Sequence, residues 1–215
     1  MLPAWLDLES RPTSRIISLL CPELMSVVPD ICTGKGEAML PTNIVTTRLY
    51  LREPCVSDAS RLFRAYTTDT EVSRYLVWRP HNAITEAVEF IAICIEAWGD
   101  RTHFPYVITL AGNEQEPIGM VEARPKGHTV DLGYVLARRF WGQGIMTEAL
   151  VELTERCLAQ PEYYRVQATC DVENLASARL LEKAGFSREG RLERYALHPN
   201  IGPEPRACFM YARCR

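Results

Sequence analysis

The sequence predicts an α/β (α+β) domain in which strands and helices alternate around one sheet. Three features point there. From residue 45 onward, segments with a two-residue apolar period give way to segments with a helical period. Turn chemistry at Gly112-Asn113 and Lys126-Gly127 punctuates successive strands. The 215 residues are 47% apolar and 24% charged, the balance of a chain that buries a core.

Residues 1–40 stand apart. Pro3, Pro12, Pro22 and Pro29, with Gly34 and Gly36, break any sustained period, so this stretch reads as an extension, irregular or partly helical around Ile16–Leu20. The alternative is that the chain properly starts at Met39. The domain proper is expected over 41–215. Val45–Arg52 reads as a strand, with Leu49 and Leu51 on one face. Ser57-Asp58 caps a helix to about Tyr66. Ile84–Trp98 carries a helical apolar stripe ended by Gly99. Phe104–Leu110, Pro117–Arg124 and Thr129–Ala137 read as successive strands. Ile145, Met146, Ala149, Leu150, Leu153 and Cys157 fall on one helical face, and Gln160-Pro161 ends that helix. Tyr164–Cys170 alternates as a strand, with Tyr164, Val166, Ala168 and Cys170 on one side. Asn174–Ala184 is a second helix stopped by Gly185. Phe186–Tyr195 and Arg206–Ala212 are the last strands, joined by a loop over 198–205.

Net charge is −3, so no overall basic field points to nucleic acid. The start, MLPAWLDLES, lacks the basic and apolar regions of a signal peptide. No apolar run approaches the ~18–20 residues that span a bilayer, so no membrane partner is expected. The eight cysteines, Cys21, Cys32, Cys55, Cys94, Cys157, Cys170, Cys208 and Cys214, form no C-x-x-C pair. They read as reduced, small hydrophobic residues of a cytoplasmic protein.

The sharpest signal is Arg138-Arg139-Phe140-Trp141-Gly142-Gln143-Gly144-Ile145-Met146-Thr147, which follows a strand and opens an amphipathic helix. Glycines two apart let the backbone turn sharply and approach a ligand closely. The first N–H groups of a helix lack internal partners and carry partial positive charge. Such a place suits a phosphate or pyrophosphate, with Arg138 and Arg139 adding charge. Taken alone, the stretch is equally an ordinary strand-to-helix turn. It lacks the third glycine of a dinucleotide fingerprint and the G-K-[ST] of a Walker A loop.

The order strand, Arg-x-x-Gly-x-Gly, helix, strand, then Asn174-x-x-Ser177 on a helix resembles the GNAT superfamily of acetyltransferases. The likeness is to its RimJ/RimL-type branch, the ribosomal-protein-alanine N-acetyltransferases. It is carried by Thr47-Arg48-Leu49-Tyr50-Leu51-Arg52, by Gly133-Tyr134-Val135-Leu136, by Arg139 through Ala149, and by Asn174 through Phe186. It covers about 45–213. The resemblance implies a mixed, twisted sheet whose central parallel strands, 129–137 and 164–170, splay apart to admit the pantetheine arm of acetyl-CoA. It implies that Arg139, Phe140, Trp141, Gly142, Gln143, Gly144, Ile145, Met146 and Thr147 hold the cofactor pyrophosphate. Backbone near Val135, Leu136 and Ala137 would pair with the pantetheine, and Asn174 would contact it from the next helix.

A thioester is already activated, so an amine attacks it directly once the two are juxtaposed and a proton is removed. A backbone N–H of the strand before the loop is expected to stabilise the developing oxyanion. No covalent enzyme intermediate is needed. Ser177 is the candidate group near the cofactor sulfur, and Glu122 the candidate base, directly or through water. Each is weighed against a plain polar position. Tyr134 and Tyr195 are weaker candidates for lining the acceptor site, against simple packing. The resemblance implies that Trp78 and His81, between the first helices, lie at the acceptor pocket, against a plain loop histidine at 81. His103, His128 and His198 show no pairing pattern and receive no role. No metal is implied.

One departure from the branch stands near the C-terminus, where Arg206 is followed by Ala207 rather than an aspartate. That puts in doubt any acceptor or ion-pair role at that position. The expected function is acetyl transfer from acetyl-CoA to a primary amine by a monomer or homodimer. The acceptor is a protein N-terminus or a small-molecule amine such as an antibiotic. A non-catalytic acyl-CoA-binding module is the alternative.

Overall fold

The computed structural model describes residues 40–215. The helix expected around Ile16–Leu20, together with Cys21 and Cys32, lies outside the described residues. Among the described residues, eight strands form one sheet in the order β1-β2-β3-β4-β5-β6-β8-β7. They are β1 (Asn43–Val45), β2 (Leu49–Arg52), β3 (Phe104–Leu110), β4 (Asn113–Lys126), β5 (Thr129–Leu136), β6 (Arg165–Asp171), β7 (Ser187–Ala196) and β8 (Arg206–Cys214).

Every pairing is antiparallel except β5 with β6. That parallel ladder stops after Thr129↔Arg165, Val130↔Val166 and Asp131↔Gln167. Beyond it, Leu132–Leu136 pair only with β4, while β6 continues along β8 to Asp171. The expected mixed sheet with diverging central strands is therefore present.

The helices are α1 (Asp58–Leu62), α2 (Thr70–Ser73), α3 (Ile84–Gly99), α4 (Ile145–Leu158) and α5 (Leu175–Lys183). One core cluster joins α4 and α5 to Val121 and Ala123 of β4, Val130 and Leu132 of β5, and Val166, Ala168 and Cys170 of β6. A second joins α1, α2 and α3 to Val107, Met120 and Ala137. Alternate residues of β4 thus serve opposite layers, as strand geometry requires. Among the described residues, the second cluster includes no residue of β6 or β8, and Gln167, Thr169 and Met210 are only half-buried.

Several boundaries depart from expectation for local reasons. Val45–Arg52 is two strands, because Thr46 turns the chain: its N–H donates to Leu49 O and its Oγ1 accepts from Leu49 N, both at 2.9 Å. Ser57 makes no capping bond. The Asp58 carboxylate instead accepts from Cys55 N (2.8 Å) and from both ends of the Arg52 fork (2.7 and 2.8 Å). α1 then widens into a π-helical turn over Phe63–Thr67. The short α2, absent from the sequence reading, is capped by Asp69, which accepts from Glu71 N and Val72 N. Gly99 is the last residue of α3 rather than its stop, and Arg101 takes the left-handed conformation (φ +54°). Tyr164 precedes β6 and is exposed, with the Arg215 guanidinium over its ring. α5 closes as expected, with Gly185 at φ +84°, Gly185 N donating to Glu182 O and Phe186 N to Leu181 O.

Candidate active site

β4 carries a bulge at Ile118, where the register with β3 slips between Ile108↔Gly119 and Thr109↔Pro117. The bulged carbonyl of Ile118 accepts from Ala137 N at 2.8 Å. Ala137 therefore bonds toward β4. By strand alternation, the N–H and C=O groups of Tyr134 and Leu136 point toward the opening beside β6, and those of Val135 toward β4. Of the residues expected to meet the pantetheine, Leu136 has its N–H on the side of the opening, while Val135 and Ala137 bond toward β4. The Leu136 carbonyl is taken by Trp141 Nε1 at 2.7 Å, so the tryptophan pins the following loop to the strand end.

The chain then makes a 3-10 turn at Arg138–Phe140 and passes through Gly142 and Gly144, both at φ +73°. That conformation suits glycine because it has no Cβ. Gly144 is the N-cap of α4 and offers no side-chain acceptor. Among the described residues, none of the backbone N–H groups of Gly142, Gln143, Gly144, Ile145, Met146 and Thr147 has an acceptor. Six consecutive free donors at a helix start form a nest for a multiply charged anion. The Arg139 guanidinium stacks over the Phe140 ring at 4.9 Å, and Gln143 Nε2 closes the loop on Arg139 O at 2.8 Å.

Asn174 caps α5 by accepting from Ser177 N at 3.1 Å, so its side-chain oxygen already has a structural duty. Ser177 Oγ and Tyr134 Oη share a hydrogen bond of 2.6 Å. It ties β5 to α5 across the opening where the strands diverge. Ser177 is 9% exposed. Burial raises the Tyr134 pKa well above the usual tyrosine value, against a smaller opposing effect of Ser177. Tyr134 is therefore a neutral hydroxyl, hydrogen-bonded to Ser177.

Glu122 projects from β4 on the face opposite Val121 and Ala123, toward the α3 layer. Its carboxylate is 3.1 Å from Arg124 Nη1 and 3.5 Å from His103 Nδ1, and its side chain is 16% exposed. Gly133 is its partner on β5 and places no side chain beside it. Glu122 and Ser177 do not touch; they lie on opposite faces of the sheet.

Trp78 and His81 lie together, with ring centroids 5.3 Å apart. Asn200 Nδ2 donates to both Ser73 O (2.6 Å) and Trp78 O (2.7 Å), stitching the 198–201 turn to the segment that carries them. Tyr195 is 51% exposed at the end of β7. His198, given no role from sequence, is buried with Nε2 3.7 Å from Asp171 Oδ2. Arg206 has its carboxylates without a neighbour at 207: its fork binds Asp171 (2.6 and 3.2 Å) and reaches Glu173 (2.8 Å). Burial opposes the charge on Asp171, but Arg206 and Glu173 N together hold its carboxyl below the usual range. These long-range contacts, like those of Asn200, leave no local pattern in the sequence.

The profile of the Acetyltransferase (GNAT) domain family matches residues 48–187. The N-acetyltransferase p20 of Bacillus licheniformis is 27% identical over 154 residues, covering 71% of this chain and 86% of that protein. The ribosomal protein uS5-alanine N-acetyltransferase of Escherichia coli is 30% identical over 89 residues, 40% of this chain and 46% of its own length. Among solved structures, the Microcin C7 self-immunity acetyltransferase MccE, in complex with acetyl-CoA and AMP, superposes with a TM-score of 0.73. That match has 21% identity over 83% of this chain and 99% of MccE. With a diverging β5–β6 pair and a six-donor nest at the start of α4, the chain belongs to the GNAT acetyltransferase family and is an acetyl-CoA-dependent N-acetyltransferase.

Proposed function

We propose that the acceptor is a protein N-terminal amine. The observation that carries this is the face of β6 and β8 beside the opening, where Gln167, Thr169 and Met210 are half-buried and, among the described residues, no residue of the second helical cluster covers them. A chain end fits such an open trough, whereas a small amine needs an enclosed pocket to be selected. The uS5-alanine relative supports the same class.

In this reading the nest at 142–147 holds the cofactor pyrophosphate, with Arg139, Phe140 and Trp141 shaping the loop. Leu136 and Val135 lie along the pantetheine, and Asn174 holds the start of α5 beside it. Coenzyme A supplies the acetyl group as a thioester. Glu122, directly or through water, takes a proton from the acceptor ammonium, and the amine nitrogen forms the new C–N bond as the C–S bond breaks. Ser177, oriented by Tyr134, donates its proton to the departing sulfur and takes up the one the nitrogen sheds as the amide forms, so coenzyme A leaves as the thiol. Trp78, His81 and Tyr195 border the acceptor. Burial depresses the His81 pKa, against a smaller effect of Glu86, and leaves it a neutral wall.

Residues 41–215 form the catalytic domain in this reading and residues 1–40 an extension. Buried Cys94, Cys157, Cys170 and Cys208 fit a reducing, cytoplasmic setting. The test is thiol release from acetyl-CoA with peptides beginning in alanine or serine, set against polyamines, amino acids and aminoglycosides. It is run on the full chain and on a version starting at Met39. Turnover with peptides that falls in Glu122→Gln and Ser177→Ala supports the proposal; turnover confined to small amines refutes it.

A further inference from the structure

Arg48 lies in the turn between β1 and β2, about a hundred residues from the anion loop yet packed against it. Its guanidinium makes two bonds there. Nη1 donates to Gln143 O at 2.9 Å, and Nε to Glu148 Oε2 at 2.6 Å. Its own N–H donates to Glu148 Oε1 at 3.0 Å, and Thr46 Oγ1 donates to the same oxygen at 2.5 Å. A Cβ at Gly144 would lie 3.6 Å from Arg48 Nη2, so the guanidinium backs directly onto the loop. Glu148 sits in the first turn of α4, one residue past the last free donor of the nest.

This arrangement poses an electrostatic problem and answers it. A carboxylate in the first turn favours the helix but repels an anion at the same terminus. Arg48 neutralises it. Holding the Gln143 carbonyl also keeps that oxygen off the ligand side, which leaves the Gly144 N–H presented. We propose that Arg48 and Glu148 form a charge-balanced clamp that keeps the 142–147 nest shaped for the pyrophosphate of coenzyme A, Arg48 being the member that binding cannot lose. Both are positioning residues. The proposal rests on the cofactor reading of this loop.

The clamp predicts an asymmetry that simple structural support does not. Arg48→Met leaves the Glu148 charge unbalanced beside the anion, whereas Glu148→Gln leaves the Arg48 charge unbalanced. Full-length protein is titrated calorimetrically with coenzyme A and with pantetheine, which lacks the pyrophosphate. Arg48→Met is expected to weaken coenzyme A about tenfold or more. Glu148→Gln is expected to weaken it less than about threefold, and the double variant to regain most of the Arg48→Met loss. Pantetheine is expected to bind all four proteins alike.

Equal and additive losses in the two single variants, or equal losses for both ligands, overturn the proposal. If Arg48→Met does not fold, Arg48→Lys keeps the charge without the fork. It is then expected to lose affinity for coenzyme A and none for pantetheine, and the reverse overturns the clamp. Wild-type protein that binds no coenzyme A overturns the cofactor reading itself; wild-type binding with unaffected variants overturns the clamp alone.

Discussion

Gly119→Ala tests how the sheet sets the strand that precedes the anion loop. A Cβ at this position would stand 2.4 Å from the carbonyl oxygen of Val135, 3.0 Å from Leu136 Cδ1 and 3.1 Å from Leu136 Cα. Two of these are backbone atoms, which cannot swing away. Ordinary contact begins near 3.4 Å, so β4 and β5 must part locally by about 1 Å. Strands held near 4.8 Å cannot do that and keep their ladder. The 2.8 Å bond from Ala137 N to Ile118 O is next in line and would be lost. Overpacking costs about 1–3 kcal/mol and a lost hydrogen bond about 1 kcal/mol, so the variant loses roughly 2–4 kcal/mol. For a domain of this size that lowers the melting temperature by about 5–15 °C. The same displacement moves Leu136, to which Trp141 is bonded, so affinity for coenzyme A falls as well. Thermal melts and calorimetric titration read the two effects. Gly190→Ala is the control, since nothing lies within 4 Å of its added methyl. A melting temperature within about 2 °C of wild type, with unchanged coenzyme A affinity, would refute the close-approach reasoning.

Three further outcomes follow from the same geometry. Asp58→Asn breaks a buried pair whose carboxylate is fully enclosed, while the Arg52 side chain is 16% exposed; a loss of roughly 3 kcal/mol is expected in denaturant unfolding. Burial opposes the charge on Asp58, but Arg52 and Cys55 hold its carboxyl below the ordinary 3.8, as Arg206 does for Asp171. Their stabilisation is therefore complete above about pH 4 and disappears as pH falls through the depressed values, a drop that acid titration of the melting temperature should show and Asp58→Asn should flatten. Ser177→Ala is expected to lower kcat about tenfold to hundredfold with little change in coenzyme A affinity, and Tyr134→Phe to lower it less, which stopped-flow thiol release separates; a silent Ser177→Ala removes the serine from the reaction. Asn200→Ala frees the Ser73–Trp78 segment and should raise KM for the acceptor while sparing coenzyme A binding; an unchanged acceptor KM would show that the stitch does not shape that side.

The local order of the chain determined much by itself. Periodicity placed α3, α4, α5 and the strands β3 to β8 to within a few residues, because each buries one face and a repeating pattern records which. The glycines at 142 and 144 marked the anion loop because only they adopt φ +73° without cost, and Gly185 closed α5 by the same chemistry. What local pattern could not carry was partnership. Arg48 and Glu148 were visible within the family-like stretches, but a hundred residues separate them and only the β1–β2 turn lying on α4 brings them together. Ala207 put a local ion pair of Arg206 in doubt, yet Arg206 pairs with carboxylates at 171 and 173, across the β6–β8 pairing. Ser177 and Tyr134 were separate candidates until the diverging strands set their hydroxyls 2.6 Å apart. Backbone conformation is decided by neighbours along the chain and is written in residue type. Contacts across the sheet are decided by topology, so the glycine loop at the start of α4 was legible in the sequence, and the groups that brace it came only from the fold.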